Sequence, residues 1–228
     1  MSSDVVARWR ATMDAVHEAA VRSGREPSAV RVVAVSKRHP ATAIAAVHAA
    51  GQVIFGENYV QEARAKMREL PATIEWHLVG HVQTNKVRQV VGSFALLHGV
   101  DSVHLAHALQ ERAQRQKVIQ PVLMQVNLGR ERQKSGVLEE DLPELAETLI
   151  AAPNLAWQGL MLLPPVFDDP EAARPFFAAL RDLRDRLEQQ YGVRLPELSM
   201  GMTGDFGAAI AEGATLVRIG TRIFGERA

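Results

Sequence analysis

Val30-Arg31-Val32-Val33-Ala34-Val35-Ser36-Lys37 is the stretch of sequence that decides the fold. Valine dominates it and polar residues do not alternate with apolar ones, so the pattern predicts a strand that is buried on both faces. Lys37 would then lie at the carboxyl edge of a parallel sheet, where barrels and open α/β sheets build their active sites. Apolar surroundings disfavour a charged amine, which makes Lys37 a candidate nucleophile. The alternative is a strand-end lysine that extends its amine into water.

The composition restricts the kinds of protein this chain can be. Its 228 residues include 26 Lys+Arg and 26 Asp+Glu, a formal net charge of +0, and no cysteine. A chain of this length can bury one large core. The balanced charge lacks the basic excess of proteins that bind nucleic acid or anionic membranes. The lack of cysteine excludes disulfides and thiol catalysis. With no signal-peptide pattern and no membrane-spanning apolar run, we expect a cytoplasmic protein.

Strand and helix patterns alternate along the chain after the first strand. Strict alternation implies parallel strands joined by right-handed crossovers. Eight such units predict a closed (β/α)₈ barrel of TIM type, which is an α/β fold. The predicted strands are 30–35, 53–55, 74–79, 94–97, 121–127, 155–162, 195–200 and 215–219.

The residues before the first strand have helical periodicity. Apolar side chains recur at helical spacing over residues 4–23, which predicts an additional N-terminal helix that plugs or braces the barrel. No linker or change of composition divides the chain, so we predict a single domain over residues 1–228.

Two glycine-containing loops follow the last two predicted strands, Ser199-Met200-Gly201 and Gly220-Thr221. Barrel enzymes often bind phosphate at this pair of loops through backbone amides. Glycine lets the backbone approach the phosphate oxygens, and Ser199 and Thr221 add hydroxyl groups. Glycine is also common in ordinary turns, so each loop alone is weak evidence. A lysine beside a phosphate site suggests a phosphorylated carbonyl compound held as a Schiff base, as in aldolase-type enzymes and pyridoxal phosphate (PLP) proteins.

Arg218 is a charged residue within the last predicted strand. It lies between Val217 and Ile219, so its side chain points opposite to both. It therefore enters either the barrel interior, where it would meet a ligand beside Lys37, or the helix layer. Periodicity does not choose between the two.

Long motifs of this chain closely resemble those of the pyridoxal phosphate homeostasis protein family. They run in the family's order from residue 30 to the end of the sequence. The motifs are Ala34-Val35-Ser36-Lys37, Phe55-Gly56-Glu57-Asn58-Tyr59-Val60-Gln61-Glu62, Trp76-His77-Leu78-Val79-Gly80, Gln83-Thr84-Asn85-Lys86, Lys134-Ser135-Gly136, Gly159-Leu160-Met161, Leu198-Ser199-Met200-Gly201-Met202, Val217-Arg218-Ile219-Gly220-Thr221 and Ile223-Phe224-Gly225.

The resemblance implies a barrel of the alanine racemase N-terminal type that carries PLP as a Schiff base on Lys37. It also implies the remaining contacts, with Ser199, Gly201, Gly220 and Thr221 at the phosphate, Arg218 opposite the pyridine nitrogen, Asn58 near the ring, and His77 and Met161 along the pocket. Thr203 stands where the family more often has serine, and it keeps the hydroxyl group. No catalytic residue is predicted. No metal site is predicted either, because the His104/His107 pair lacks a neighbouring carboxylate.

The resemblance further implies a carrier that stores PLP and buffers or delivers it, with PLP-dependent apo-enzymes as recipients. An arginine opposite the pyridine nitrogen favours the unprotonated ring, a weaker electron sink than PLP enzymes use for carbanion chemistry. We expect a monomer. Lys134 is read as a solvated loop residue, with a secondary contact to PLP or to a partner as the alternative.

The competing hypothesis is a PLP-dependent amino-acid racemase or a related fold-type III enzyme. Racemisation needs acid–base groups on both faces of the substrate. In the racemases that this chain resembles, a tyrosine from a C-terminal β-domain serves the second face, whereas this sequence ends at Ala228. Tyr59 is the remaining candidate, and its position at a predicted helix start favours packing at the rim. We therefore expect the carrier.

Overall fold

In the computed structural model, which describes residues 2–226, eight parallel strands form a closed barrel. The strands are β1 (Arg31–Val35), β2 (Ile54–Glu57), β3 (Glu75–Leu78), β4 (Leu96–Val100), β5 (Gln120–Val126), β6 (Leu155–Leu162), β7 (Glu197–Ser199) and β8 (Leu216–Ile219). They pair in chain order, and β8 pairs with β1 to close the barrel. The predicted (β/α)₈ fold is confirmed.

Helices surround the strands. They are α1 (Ser2–Arg22), α2 (Ala41–Ala49), α3 (Val60–Glu69), α4 (Val87–Val90), α5 (Val103–Gln116), α6 (Leu142–Ile150), α7 (Arg174–Tyr191), α8 (Phe206–Ala211) and α9 (Thr221–Phe224). Short 3₁₀ segments cover Pro27–Ala29, Thr84–Lys86, Glu139–Asp141 and Pro170–Ala173. None of the helices within residues 2–226 combines the length and the apolar character needed to cross a membrane.

The additional helix α1 braces the seam where the barrel closes. It packs against α2, α8 and α9, the helices that flank β1 and β8. Arg8 Nε donates a hydrogen bond to the Ile223 carbonyl in α9 at 2.9 Å. Of the two expected roles, the structure therefore shows bracing.

Side chains alternate between two cores along each strand. Outward residues such as Phe55, Leu78 and Leu160 pack under the helices in the main core. Inward residues form a smaller cluster inside the barrel, with Val33, Val35, Ile54, Val79, Leu96, Leu123, Met161 and Leu216. Full burial of an aliphatic side chain stabilises the fold by about 1.5–3 kcal/mol.

Two predicted strands ended too early, each at a buried polar residue. The prediction 94–97 stopped before His98, but β4 continues through it to Val100. The prediction 53–55 stopped before Glu57, which is the last residue of β2. Both side chains are fully buried, and both have hydrogen-bond partners in neighbouring elements. A partner is what makes a buried polar residue tolerable within a strand.

Candidate functional site

A cavity of about 500 Å³ opens at the carboxyl end of the barrel. Its volume lies within the range of about 300–1,000 Å³ that is usual for small-molecule sites. Its walls are Val35, Lys37, His39, Asn58, Val79, Lys134, Leu163, Pro164, Val166, Met202, Thr203, Gly204, Arg218, Gly220 and Thr221. Five predicted site residues thus line the same cavity: Lys37, Asn58, Arg218, Gly220 and Thr221.

Lys37 follows β1, and a buried ion pair holds the backbone just before it. Ser36 Oγ donates to Glu57 Oε1 at 2.7 Å, and Lys66 Nζ donates to the Ser36 carbonyl at 2.8 Å. Lys66 Nζ also lies 2.7 Å from Glu57 Oε1. We call Ser36, Glu57, Glu62 and Lys66 the Lys66 cluster. It holds the backbone in place at the carboxyl end of β1, from where the Lys37 side chain extends into the cavity.

The same cluster holds the backbone just after Lys37. Arg38 has a φ of 64°, in the left-handed region that non-glycine residues adopt at a cost of about 1–3 kcal/mol. Its amide donates to Glu62 Oε1, which also accepts from Lys66 Nζ at 2.7 Å. Lys37 is therefore flanked on both sides by backbone groups bonded to one charged cluster.

Burial dominates the electrostatics of Glu57. Removal from water raises the pKa of the Glu57 carboxyl, and the hydrogen bonds from Lys66 and Ser36 offset part of that rise. Its second oxygen, Oε2, is buried and has no hydrogen-bond partner within residues 2–226. The carboxylate therefore depends on Lys66 for its charge.

Arg218 enters the barrel interior, which settles the choice that periodicity left open. It is 4% exposed, and its guanidinium donates to Ser199 Oγ at 2.6 Å and to the Leu162 carbonyl at 2.8 Å. Burial lowers the pKa of Arg218 to about 10. The guanidinium is thus still charged at neutral pH, and it is a buried cation that faces the cavity.

The loop after β7 contributes different residues from those predicted. Ser199 is the last residue of β7, fully buried and hydrogen-bonded to Arg218, so its hydroxyl lies beneath the cavity. Thr203 is on the wall instead, between Met202 and Gly204. Both residues have a hydroxyl group. They differ because the Ser199 side chain points into the barrel interior, where it binds Arg218, which the sequence alone does not show.

Gly201 shapes this loop from behind the wall. Its φ is +89°, and a Cβ there would lie 2.6 Å from the Cβ of Ala209 in α8. Such an approach is closer than real Cβ atoms show, so only glycine fits this turn. Gly201 therefore lets the loop fold back between α8 and the cavity. Gly201 is not itself among the residues that line the cavity.

His77 and Met161 lie deeper than expected. Both are buried in the barrel interior, and neither is among the residues that line the cavity. Val79 and Leu163, which follow them by two residues, line the cavity instead. Because side chains on one face of a strand recur every second residue, His77 and Met161 occupy the layer below. Contact of His77 or Met161 with a bound ligand stays a prediction.

Lys134 lies on the wall, although we read it as a solvated loop residue. Its Nζ donates to the Pro164 carbonyl at 2.7 Å and pairs with Glu131. This contact joins the loop after β5 to the loop after β6. Two further wall residues that the sequence did not single out are His39 and Val166.

Asn58 carries an unsatisfied group at the cavity. Its Oδ1 is buried without a hydrogen-bond partner in the described part of the chain. Leaving a buried acceptor unpaired costs about 1–3 kcal/mol, so such groups usually meet a ligand or water. The site thus combines an amine, a buried cation, glycine loops with hydroxyl groups, and a polar atom without a partner. That set matches a compound with an aldehyde, a phosphate and a polar ring.

The fold and the site define a barrel of the alanine racemase N-terminal class. The family described as "Alanine racemase, N-terminal domain" matches residues 13–228. Among curated relatives, the pyridoxal phosphate homeostasis protein of Aquifex aeolicus is 43% identical over 221 residues, covering 96% of this chain and 97% of that protein. The protein of the same name from Pseudomonas aeruginosa is 46% identical over 215 residues, covering 93% and 91%. The chain belongs to the pyridoxal phosphate homeostasis protein family.

Solved structures agree with this assignment. PipY of Synechococcus elongatus, solved with PLP bound, is 38% identical, with a TM-score of 0.82 and coverage of 97% of this chain and 100% of that one. Alanine racemase from Bartonella henselae is 16% identical, with a TM-score of 0.73, and covers 99% of this chain and 59% of that one. The second likeness concerns the fold alone.

Proposed function

We propose that this chain binds PLP in the cavity, with Lys37 as the covalent attachment point, and that it buffers or delivers the cofactor. The observation that carries the proposal is that Lys37, the buried Arg218 and the loops after β7 and β8 line one cavity. The relatives named for PLP homeostasis and the PLP-bound PipY structure support the same ligand.

When bound, PLP supplies an aldehyde that condenses with an amine and releases water. Lys37 would provide that amine, held in place by the Lys66 cluster. Thr203, Gly220 and Thr221 would bind the phosphate through hydroxyl and backbone N–H groups. Asn58, which lines the cavity and whose Oδ1 has no partner among the described residues, would bind polar atoms of the ring through its side-chain amide.

Arg218 would hold the pyridine nitrogen as a donor. Its pKa of about 10 keeps the guanidinium protonated at neutral pH, so it donates a hydrogen bond and takes no proton from the ring. An unprotonated pyridine withdraws electrons weakly, which suits storage of the cofactor more than carbanion chemistry.

The ionisable groups of the cavity favour a carrier over a racemase. Among the described residues that line it, these groups are Lys37, His39, Lys134 and Arg218, without a tyrosine or a carboxylate. Tyr59 is 47% exposed, and its hydroxyl lies 3.4 Å from an Arg38 guanidinium nitrogen. A basic wall suits a dianionic phosphate, and a second-face tyrosine acid is not among its described residues.

Reductive trapping tests the attachment. Borohydride treatment of the PLP-loaded chain should fix the cofactor on the peptide that contains Lys37, and Lys37→Ala should abolish the adduct. The peptide with Lys134, a second lysine on the same wall, is the internal control and should stay unlabelled. An adduct that persists in Lys37→Ala or maps to Lys134 would refute the assignment.

Two further measurements separate carrier from enzyme. Incubation of the loaded chain with single L-amino acids in heavy water should give no appreciable exchange of the α-proton, and sustained exchange would favour the racemase. Mixing the loaded chain with a PLP-dependent apo-enzyme should restore that enzyme's activity. No restoration above that given by the same amount of free PLP would argue against direct delivery.

A further inference from the structure

A continuous hydrogen-bonded chain of five side chains crosses the barrel interior. Glu75 Oε1 lies 3.0 Å from His77 Nε2, and His77 Nδ1 lies 3.0 Å from His98 Nε2. His98 Nδ1 lies 2.8 Å from Ser199 Oγ, which accepts from the Arg218 guanidinium at 2.6 Å. We call these five residues the interior chain. They come from β3, β4, β7 and β8.

The interior chain connects two different environments. Its inner members, His77, His98 and Ser199, are at most 1% exposed, and Arg218 reaches the cavity. The side chain of Glu75, at the first position of β3, is 41% exposed. One end of the interior chain thus contacts solvent at the amino end of the barrel, and the other contacts the proposed ligand site.

The end groups fix the direction of every hydrogen bond. An ionised carboxylate only accepts, and a guanidinium only donates. With neutral imidazoles, His77 must donate from Nε2 to Glu75 and accept at Nδ1 from His98 Nε2–H. His98 Nδ1 then accepts from the Ser199 hydroxyl, whose oxygen remains an acceptor for Arg218. Each link has one donor and one acceptor.

The electrostatics of the interior support the neutral arrangement. Burial lowers the pKa of His98 well below its usual value, and the positive charges of Arg218 and Arg31 lower it further. The hydrogen bond from His77 lowers the pKa of Glu75, which keeps that carboxyl ionised at neutral pH. The alternative is an imidazolium at His77, which would donate from both nitrogens and reverse the two inner links.

We propose that Glu75 is a long-range positioning residue whose carboxylate sets the donor direction of the interior chain and thereby orients Ser199 to receive Arg218. Its importance for the ligand rests on the proposed function, while the direction of the hydrogen bonds is a property of the chain alone. A glutamine at this position can donate as well as accept. It would allow the reverse arrangement, in which His98 donates to Ser199, so that the Ser199 oxygen accepts from both His98 and Arg218 and its hydroxyl hydrogen loses the acceptor that fixes its direction.

Glu197 supplies a matched control. It lies on β7 at the same end of the barrel, where it pairs with Arg31 and accepts from Thr215 Oγ1 at 2.6 Å. Glu197→Gln removes the same charge without altering a member of the interior chain. A general loss of negative charge and a specific loss of direction can therefore be told apart.

The experiment is ¹⁵N NMR of histidine-labelled full-length chain without added ligand at neutral pH, assigned with His77→Gln and His98→Gln variants. We expect both imidazoles of the wild type as neutral Nε2–H tautomers. Glu75→Gln should add the Nδ1–H tautomer at both positions, and Glu197→Gln should leave the spectrum unchanged. An Nδ1–H or doubly protonated His98 in the wild type would overturn the proposal. So would identical spectra for wild type and Glu75→Gln, or equal changes in both variants.

A second measurement links the interior chain to the ligand. In the PLP-loaded protein, Glu75→Gln should shift the pH dependence of the visible absorption, and Glu197→Gln should not. An unshifted profile in Glu75→Gln would refute the effect on the site. If reductive trapping fails at Lys37, the proposed function falls, whereas the tautomer result stands on its own.

Discussion

Lys66→Met is the substitution that tests how the neighbourhood of Lys37 is held. It removes an ammonium whose side chain is 8% exposed and leaves Glu57, at 0%, as a buried carboxylate without its counter-ion. It also removes the hydrogen bonds to the Ser36 carbonyl and to Glu62. Breaking one side of a buried pair costs about 3–5 kcal/mol. We expect the free energy of unfolding at pH 7 to fall by that amount, measured by urea denaturation.

The pH dependence of the loss has a definite sign. Burial already raises the pKa of Glu57, and removal of Lys66 removes two of the influences that lower it. The folded state then binds a proton that the unfolded state releases, so stability falls as pH rises from the unfolded pKa toward the folded one. The deficit of Lys66→Met should therefore be smaller at pH 5 than at pH 8.

The double variant Glu57→Gln/Lys66→Met is the control for an unpaired charge. Because it removes both ionic groups, it should be more stable at pH 7 than Lys66→Met alone. A loss below about 1 kcal/mol in Lys66→Met, or a double variant no more stable than the single one, would refute the reasoning, since either result is expected only of a weakly coupled pair.

Three further outcomes follow from other positions. Gly201→Ala should lower the free energy of unfolding by about 1–3 kcal/mol because of its positive φ and its contact with Ala209, whereas Gly207→Ala, in α8 with open space around it, should raise it by about 0.5–1 kcal/mol in the same urea assay. Ser102→Ala should cost about 1 kcal/mol through loss of the N-cap of α5, and Ser102→Asp should retain the stability; equal losses would exclude capping as the cause. Because the pKa of Glu75 is lowered, its stabilisation is complete above the unfolded-state pKa and is lost as pH falls through the folded one. The stability difference between wild type and Glu75→Gln should thus shrink toward pH 3, and a constant difference would contradict this.

Much of the fold was predictable because its signals are local. Each unit of strand and helix carries its own hydrophobic period, so eight units imply the closed barrel without knowledge of any long-range contact. The errors lie where distant partners decide. From the sequence, His98 and Glu57 look like loop residues that follow a strand, because their partners, Ser199 and Lys66, belong to other elements.

The sequence predicts which loops line the site, but not how deep in the barrel each side chain lies. Lys37, Gly220 and Thr221 directly follow their strands, and the rim position alone placed them at the cavity. The depth of His77 and Ser199 could not be predicted, because depth inside a barrel depends on how neighbouring strands are staggered. That stagger is a property of pairings such as Met161↔Ser199, which no single strand reveals.

The seam between β1 and β8 has a consequence for biosynthesis. Val33 is in register with Arg218, so the strand that precedes Lys37 receives its second neighbour from β8, the last of the eight barrel strands to be translated. A ribosome-bound chain that ends before β8 has neither that neighbour nor Gly220 and Thr221. The pairing of β1 with β8 joins the two barrel strands that are farthest apart in the sequence, so we expect it to form late in folding. A nascent chain should thus expose Lys37 without a closed cavity until β8 and the loop after it have been translated.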